Sequence, residues 1–338
     1  MAEKTKIAWC DKTFNLWRGC TKVSEGCANC YAETLSRRNP ETLGQWGPGA
    51  PRVFAAKAYA LDPFRWQAIA VKRRELFQKA GSDEARLAKL ASADGVGPRR
   101  ERVFCASLSD VLDSDGVPSA WFAELADLWR LTPGLEWLAL TKRPEAFYDR
   151  MQAAWKWAYN TGDGGKPLAD WLYAWGKQGQ APPNVWFGIS GENNKRLWQR
   201  WGHAKLVKAR VHFLSLEPLL EDVADTVETI IAEAVAMRLN LWVIVGGESG
   251  ADARPFGAEW AERVLLACRR ADVPCFVKQM GSNAHTDSPE RWPGATRWKE
   301  RLPAAGHLWL RDSKGGDPAE WPEYLRVQQH PVTPVLLE

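Results

Sequence analysis

The chain contains no stretch of about 18 consecutive apolar residues. Its opening residues, MAEKTKIAWC, lack both the apolar centre and the small-residue cleavage site of an export signal. These absences lead to the expectation of a cytoplasmic protein with no membrane partner. Histidine is scarce: His203, His212, His285, His307 and His330 are scattered without ligand spacing, which argues against a histidine metal site. Neither GxGxxG nor GxxxxGKS/T follows the first strand-like segment, so a dinucleotide-binding sheet and a phosphate loop lack support. A disulfide framework is disfavoured by cysteine usage, since the seven cysteines are odd in number and three of them cluster near the start. That clustering points instead to metal or redox chemistry. The formal charge of +4 permits a nucleic-acid partner without requiring one. Twenty tryptophans are the conspicuous excess, and helix packing is their expected main use.

Six short apolar runs, rich in β-branched or aromatic residues and each ending abruptly in polar ones, punctuate the sequence after residue 100. They are Val103 to Leu108, Trp137 to Leu140, Val185 to Ile189, Val211 to Leu216, Leu241 to Val245 and Cys275 to Val277. Most strand ends lie roughly 30 residues apart, the length of one strand-helix unit. Helical spacing fills Ala120 to Arg130 and Ala258 to Arg270. A further strand is expected at Thr13 to Trp17, running into the cysteine loop. The pattern predicts an α/β fold, a partial (β/α)6 TIM-like barrel spanning residues 1–281. Insertions are expected at about 39–100, with a basic helix near Arg65 to Ala80, and at 151–183. Residues 282–338 read as a C-terminal extension packed on the barrel.

The chemistry centres on Cys20-x6-Cys27-x2-Cys30, in a loop that also holds Gly19 and Gly26. Structural zinc calls for a fourth ligand, and neither a histidine nor a second CxxC lies nearby. Three thiolates on a four-iron cluster leave one iron open to bind a substrate or cofactor. From spacing alone the cluster and zinc stand about level, with buried thiols a minor third reading.

The stretches Gly19 to Ser24 and Gly26 to Glu33 resemble the signature of a phage-associated family of unknown function that is grouped with radical S-adenosylmethionine enzymes. Ser107 to Asp110, Leu140 to Glu145, Asn184 to Gly188, Phe213 to Leu219, Trp242 to Gly250, Lys278-Gln279 and Asp317 to Arg326 resemble it as well. The first cysteine loop is three residues longer than the commonest C-x3-C-x2-C pattern of that superfamily. The resemblance implies a barrel of the radical S-adenosylmethionine type, with a 4Fe-4S cluster on Cys20, Cys27 and Cys30. It also implies S-adenosylmethionine as cofactor and an external electron donor of flavodoxin or ferredoxin type. The 5'-deoxyadenosyl radical formed there would abstract a substrate hydrogen. The phage association suggests rearrangement, by an isomerase or mutase, of a modified thymidine base in DNA within the host cytoplasm.

On that reading the polar strand ends hold the cofactor. Ser109 and Asp110, with Ser107 beside them, are expected to face its amine. Lys142 or Arg143 is expected at its carboxylate, and Ser190, Glu192 or Asn193 at its ribose. Glu217 and Glu248 follow strongly apolar strands and are expected at the barrel mouth in contact with substrate or cofactor. Cys105 lies two residues before Ser107, so strand alternation places it on the same face as a candidate hydrogen-atom donor. Lys195 to Arg210 carries six basic residues, two tryptophans and no acid, making it the best nucleic-acid segment, for DNA or a nucleoside. Arg37-Arg38, Lys72-Arg73-Arg74 and Arg99-Arg100-Arg102 form smaller basic clusters. Two competing classes remain: a zinc-stabilised nucleic-acid-binding protein, which leaves the polar strand ends idle, and a barrel hydrolase, which leaves the cysteines idle.

Overall fold

The computed structural model describes residues 5–94, 99–292 and 306–332. Seven parallel strands form its main sheet, each hydrogen-bonded to the next in chain order. They are β1 (Lys12–Phe14), β2 (Glu101–Cys105), β3 (Leu135–Thr141), β4 (Val185–Ser190), β5 (His212–Leu216), β6 (Leu241–Gly246) and β7 (Cys275–Gln279). The main helices are α1 (Tyr31–Ser36), α2 (Asp62–Ala80), α3 (Ser119–Leu131), α4 (Phe147–Asn160), α5 (Lys166–Gly176), α6 (Asn194–Ala204), α7 (Ala224–Ala236) and α8 (Ala258–Arg270).

Alternation along the strands divides the core in two. Phe104, Leu138, Trp186, Phe213, Trp242 and Phe276 line the concave face together with Trp9. Trp9 lies 4.6 Å from Phe104 of β2 and 6.3 Å from Trp242 of β6, ring centre to centre. One tryptophan can bridge strands two and six only because the sheet curls, giving a half-barrel. Gly188 makes this possible locally, since a Cβ there would fall 2.3 Å from the Phe213 ring. On the convex face Val103, Cys105, Trp137, Phe187, Leu214 and Val243 pack against helix residues such as Phe122, Trp129, Val227 and Val264.

The strand expected ahead of the six later runs, at Thr13 to Trp17, is β1 at Lys12–Phe14, which pairs with β2 and brings the sheet to seven strands. This first strand is shorter than expected. Trp17–Arg18 leaves the sheet to pair antiparallel with Val53–Phe54, tying the cysteine loop to the segment that follows it. The basic helix expected at residues 65–80 is α2, opened by Pro63 in its first turn. The Gly/Trp-rich stretch within 151–183 folds as the α4–α5 hairpin, where Trp175 meets Phe147, Trp129 and Trp171.

Beyond β7, Ala284–His285 pairs with Phe256–Gly257. The segment around Val327 to Gln329 then lies antiparallel along β7, with Val277 N–H donating to Val327 O and Gln329 N–H to Cys275 O. The rest of the extension, 293–305 and 333–338, and residues 95–98 of the first insertion lie outside the described residues. Among the described residues no helix is long and apolar enough to cross a membrane.

Candidate active site at the strand ends

Gly19 and Gly26 shape the cysteine loop. Gly19 has a φ of +101°, and a Cβ there would meet Gln45 O at 2.6 Å. At Gly26 a Cβ would lie 2.9 Å from the Glu192 carboxyl carbon. The second glycine therefore lets the loop backbone approach a buried acid from β4. Between them Glu25–Cys27 forms one 3-10 turn, and Cys30 stands at the N-cap of α1.

Three arginine-carboxylate pairs, drawn from the ends of β2, β3, β4 and β6, hold this loop. After β2 and β3, Asp110 pairs with Arg143 at 2.9 Å, and Arg143 in turn donates to the Thr21 carbonyl and lies 3.8 Å from the Cys20 sulfur. After β4, the fully buried Glu192 takes Arg200 of α6 at 2.5 Å and accepts the Gly26 N–H at 3.3 Å, while Arg200 also donates to Ser24 Oγ at 2.8 Å. After β6, Glu248 is gripped by Arg254 at 2.6 and 2.9 Å and accepts Asn29 Nδ2 at 3.1 Å. Arg254 reaches on to the Glu25 carbonyl at 2.8 Å. Residues 45–52 close the remaining side. Gly47 N–H donates to Cys20 O, and the buried Arg52 joins Thr21 Oγ1 to Asp113.

Two of the three thiols, Cys20 and Cys30, are pushed toward their protonated form. Burial and the nearby Asp110 and Asp113 charges push Cys20 up to about 12, against the pull of Arg143. Burial likewise raises Cys30, opposed by the N–H groups of Glu33 and Ala32 at the helix start. Cys27 and Cys30 are near enough to feel each other's charge. Among the described residues, however, no three His, Cys, Asp or Glu side chains are gathered within ligand reach of one point. Thiols are soft donors by type, and for these three to hold a metal they would have to converge on one point and release their protons.

The acids expected to hold a cofactor are thus largely engaged by the chain itself. Asp110 accepts from Thr141 Oγ1, Leu112 N–H and Lys142 N–H besides Arg143. Ser109 donates to the Trp17 carbonyl, Ser107 Oγ accepts Asn15 Nδ2, and Asn193 caps α6 by accepting the Arg196 N–H. Ser190 is buried, with its carbonyl held by Arg200. Lys142 stands apart: no hydrogen bond or ion pair of its Nζ is made among the described residues, and its charge is felt by both Cys30 and Glu192. Deeper in the mouth, Glu217 is ion-paired to Lys278 at 2.6 Å and accepts Ser215 Oγ, though its Oε1 receives no well-aligned hydrogen bond. Tyr31 donates to the Ser107 carbonyl at 2.6 Å. It keeps half its surface open, within electrostatic range of Cys10, Cys30 and Glu217.

Cys105 requires a correction. It packs on the convex, helix-facing side with Val103, away from the mouth, and burial alone pushes its thiol up. Strand alternation cannot be extended to Ser107, because β2 ends at Cys105 and the rule ends with it. The basic run from Lys195 is also largely spent inside the chain, with Arg196 on Glu25, Arg200 on Glu192 and Lys205 on Glu233. Arg52, Arg254, Asn29 and Tyr31, to which the sequence assigns no role, anchor the loop together with Arg200.

Glu192 gives this assembly a pH signature. Burial raises its pKa, but the charges of Arg200 and Lys142, with hydrogen bonds from Arg200 and Ser24, outweigh that and hold it at about 2; Arg196 and Arg254 also face it. A carboxylate with a depressed folded pKa contributes stability that is full above its unfolded value and lost as pH falls through the folded one. Stability should therefore drop by up to about 3 kcal/mol between roughly pH 4.5 and 2 through this group. Urea unfolding of the chain and of Glu192→Gln across that range checks it: equal slopes in both would remove Glu192 as the cause.

The chain matches a family described as "Protein of unknown function (DUF5131)" over residues 4–314. No curated protein matches it, and no solved structure does. The match covers nearly the whole chain, including every element of the cysteine loop and its anchors, and the protein therefore belongs to the DUF5131 family of proteins of unknown function.

Proposed function

We propose that the chain is a radical S-adenosylmethionine enzyme in which Cys20, Cys27 and Cys30 carry a 4Fe-4S cluster. The observation that carries this reading is the pinning of the three-cysteine loop over the carboxyl ends of parallel strands by Arg143, Arg200 and Arg254. Catalytic machinery of α/β barrels gathers at that end. Such a cluster, with S-adenosylmethionine bound, supplies a 5'-deoxyadenosyl radical able to remove a hydrogen atom from an unactivated carbon.

The chain's own residues bind and orient. Lys142 offers an uncommitted ammonium beside Cys30, suited to the carboxylate of the cofactor's methionine part. The Arg143, Glu192 and Glu248 pairs act one layer back, fixing the loop on which the thiols sit. We place the substrate beside the Glu217–Lys278 pair and Tyr31. We assign the reaction to the isomerase or mutase type on a modified thymidine of phage DNA, with reducing electrons from a flavodoxin or ferredoxin.

Anaerobic purification with iron, sulfide and zinc analysis tests the premise. About four irons per chain are expected in the wild type and loss of most of them in Cys27→Ala, with 5'-deoxyadenosine released on reduction with S-adenosylmethionine. Stoichiometric zinc without iron after anaerobic reconstitution would instead favour a zinc-stabilised binding protein.

A further inference from the structure

We infer that the cleft between α4 and α5 is a stacking site for the base of a nucleotide. Two stripes run side by side along α4. Phe147, Met151, Ala154 and Ala158 are buried and belong to the chain's own core. One residue further on, Tyr148, Gln152, Trp155 and Tyr159 repeat the same i, i+4, i+7 spacing and are left exposed or half-buried. The first stripe already seats the helix, so the aromatic rings of the second are surplus to its packing. Tyr173 of α5 stands opposite them, 47% exposed, its ring centre 6.5 Å from that of Trp155. The cleft lined by Tyr148, Trp155 and Tyr173 has a volume of about 240 Å³, with the buried Met151 and Leu172 on its inner side. Sites for whole drug-sized ligands run to roughly 300–1,000 Å³, so this one has room for a single flat ring system.

The walls are set before anything enters. Tyr159, outside the lining, stacks on Trp155 at 5.4 Å and 26°, and Tyr148 is fixed by donating its hydroxyl to the Leu206 carbonyl at 2.9 Å. Rings already held in place lose little freedom when a ligand stacks on them, which favours binding. The polar groups of the rim then narrow the ligand class. Gln152 brings an amide, donor and acceptor together, which suits the edge of a base. Lys177 is in the lining, no acid is, and the Lys208 side chain lies against the turn at Gly179 just beyond α5. An aliphatic chain or a neutral ring has no use for these two cations, whereas a base carrying phosphate meets both the rings and the charge. Stacking on an aromatic ring is tolerant of which base is present. The ligand is therefore a nucleotide base, carried either by a mononucleotide or by a nucleic-acid single strand. The cleft uses none of the residues that hold the cysteine loop, so it does not depend on the cluster reading.

The test uses the purified full-length chain and two probes that carry the same photoreactive base: 5-iodo-dUMP, followed by calorimetry, and a short fluorescein-labelled oligo-dT strand with one central 5-iododeoxyuridine, followed by anisotropy. Tyr173→Ser should weaken binding about tenfold, the loss of one base stack. Trp157→Ser, which removes an exposed aromatic of the same hairpin outside the lining, should leave affinity unchanged. Lys177→Gln should flatten the log–log salt slope for the strand by about 0.7, one phosphate contact. Weakening of both probes alike assigns a mononucleotide, and weakening confined to the strand assigns single-stranded nucleic acid. Irradiation of the wild-type complexes, mapped by mass spectrometry, needs no variant to fold and should place crosslinks on Tyr148, Trp155 or Tyr173. No binding of either probe, unchanged affinity of both in Tyr173→Ser, or crosslinks only outside the cleft would overturn the site. Iron content of the same preparations should be equal in the wild type and Tyr173→Ser, so that failure of this site and failure of the cluster reading are told apart.

Discussion

Arg200→Met should lower the free energy of unfolding by about 3–5 kcal/mol, because it strands the Glu192 carboxylate, which has no exposed surface, without its cation. The size follows from an asymmetry. Removing one member of a buried pair leaves the desolvation cost of the other unmet, whereas replacing both by apolar groups of similar volume is often near neutral. Glu192→Leu/Arg200→Met should therefore recover much of the stability in urea unfolding. It should not recover the iron of the proposed cluster, since the Ser24 hydroxyl and Gly26 N–H bonds that hold the cysteine loop go with the pair. A double variant no more stable than the single one would show that Arg200 acts through packing alone.

Trp242→Ala should cost a further and independent 3–5 kcal/mol or so, the usual range for emptying a buried tryptophan site. Its side chain is fully buried on the concave face, where its ring meets Trp9, Trp186, Phe213, Phe276 and His330. It also donates Nε1–H to the Gln329 carbonyl at 2.9 Å, so the substitution opens a cavity and unpairs a tail acceptor together. Trp242→Phe keeps most of the ring packing and loses the hydrogen bond, for which about 1 kcal/mol is expected. Thermal or urea unfolding distinguishes the two. A loss below about 1 kcal/mol in the alanine variant would mean that the plug of the half-barrel is not a tightly packed core.

The strands are legible because parallel strands buried on both faces read as short continuous apolar runs, as Val185 to Ile189 and Leu241 to Val245 do. The strand expected at Thr13 to Trp17 is shorter and starts one residue earlier, at Lys12–Phe14, because its extent is set by pairing with β2 and not by composition. The polar residues at strand ends are legible as residues of the mouth but not in their occupation. Nothing in the spacing of Asp110 and Arg143, or of Glu248 and Arg254, says whether a carboxylate meets a ligand or a neighbouring guanidinium. That is decided by how the loops return over the barrel. The tryptophans divide by the same logic: Trp175 and Trp201 are buried between helices, while Trp157 and Trp198 stay exposed, and local sequence looks alike around all four.

The pairing of the tail along β7 has a consequence during synthesis. Cys275 receives the Gln329 N–H only after 54 more residues have been made, so the nascent half-barrel leaves the ribosome with one long edge of backbone donors and acceptors unpaired. Until the tail arrives, that edge is a template for another chain. Chaperone demand, and any tendency to co-aggregate, should concentrate in that interval of translation.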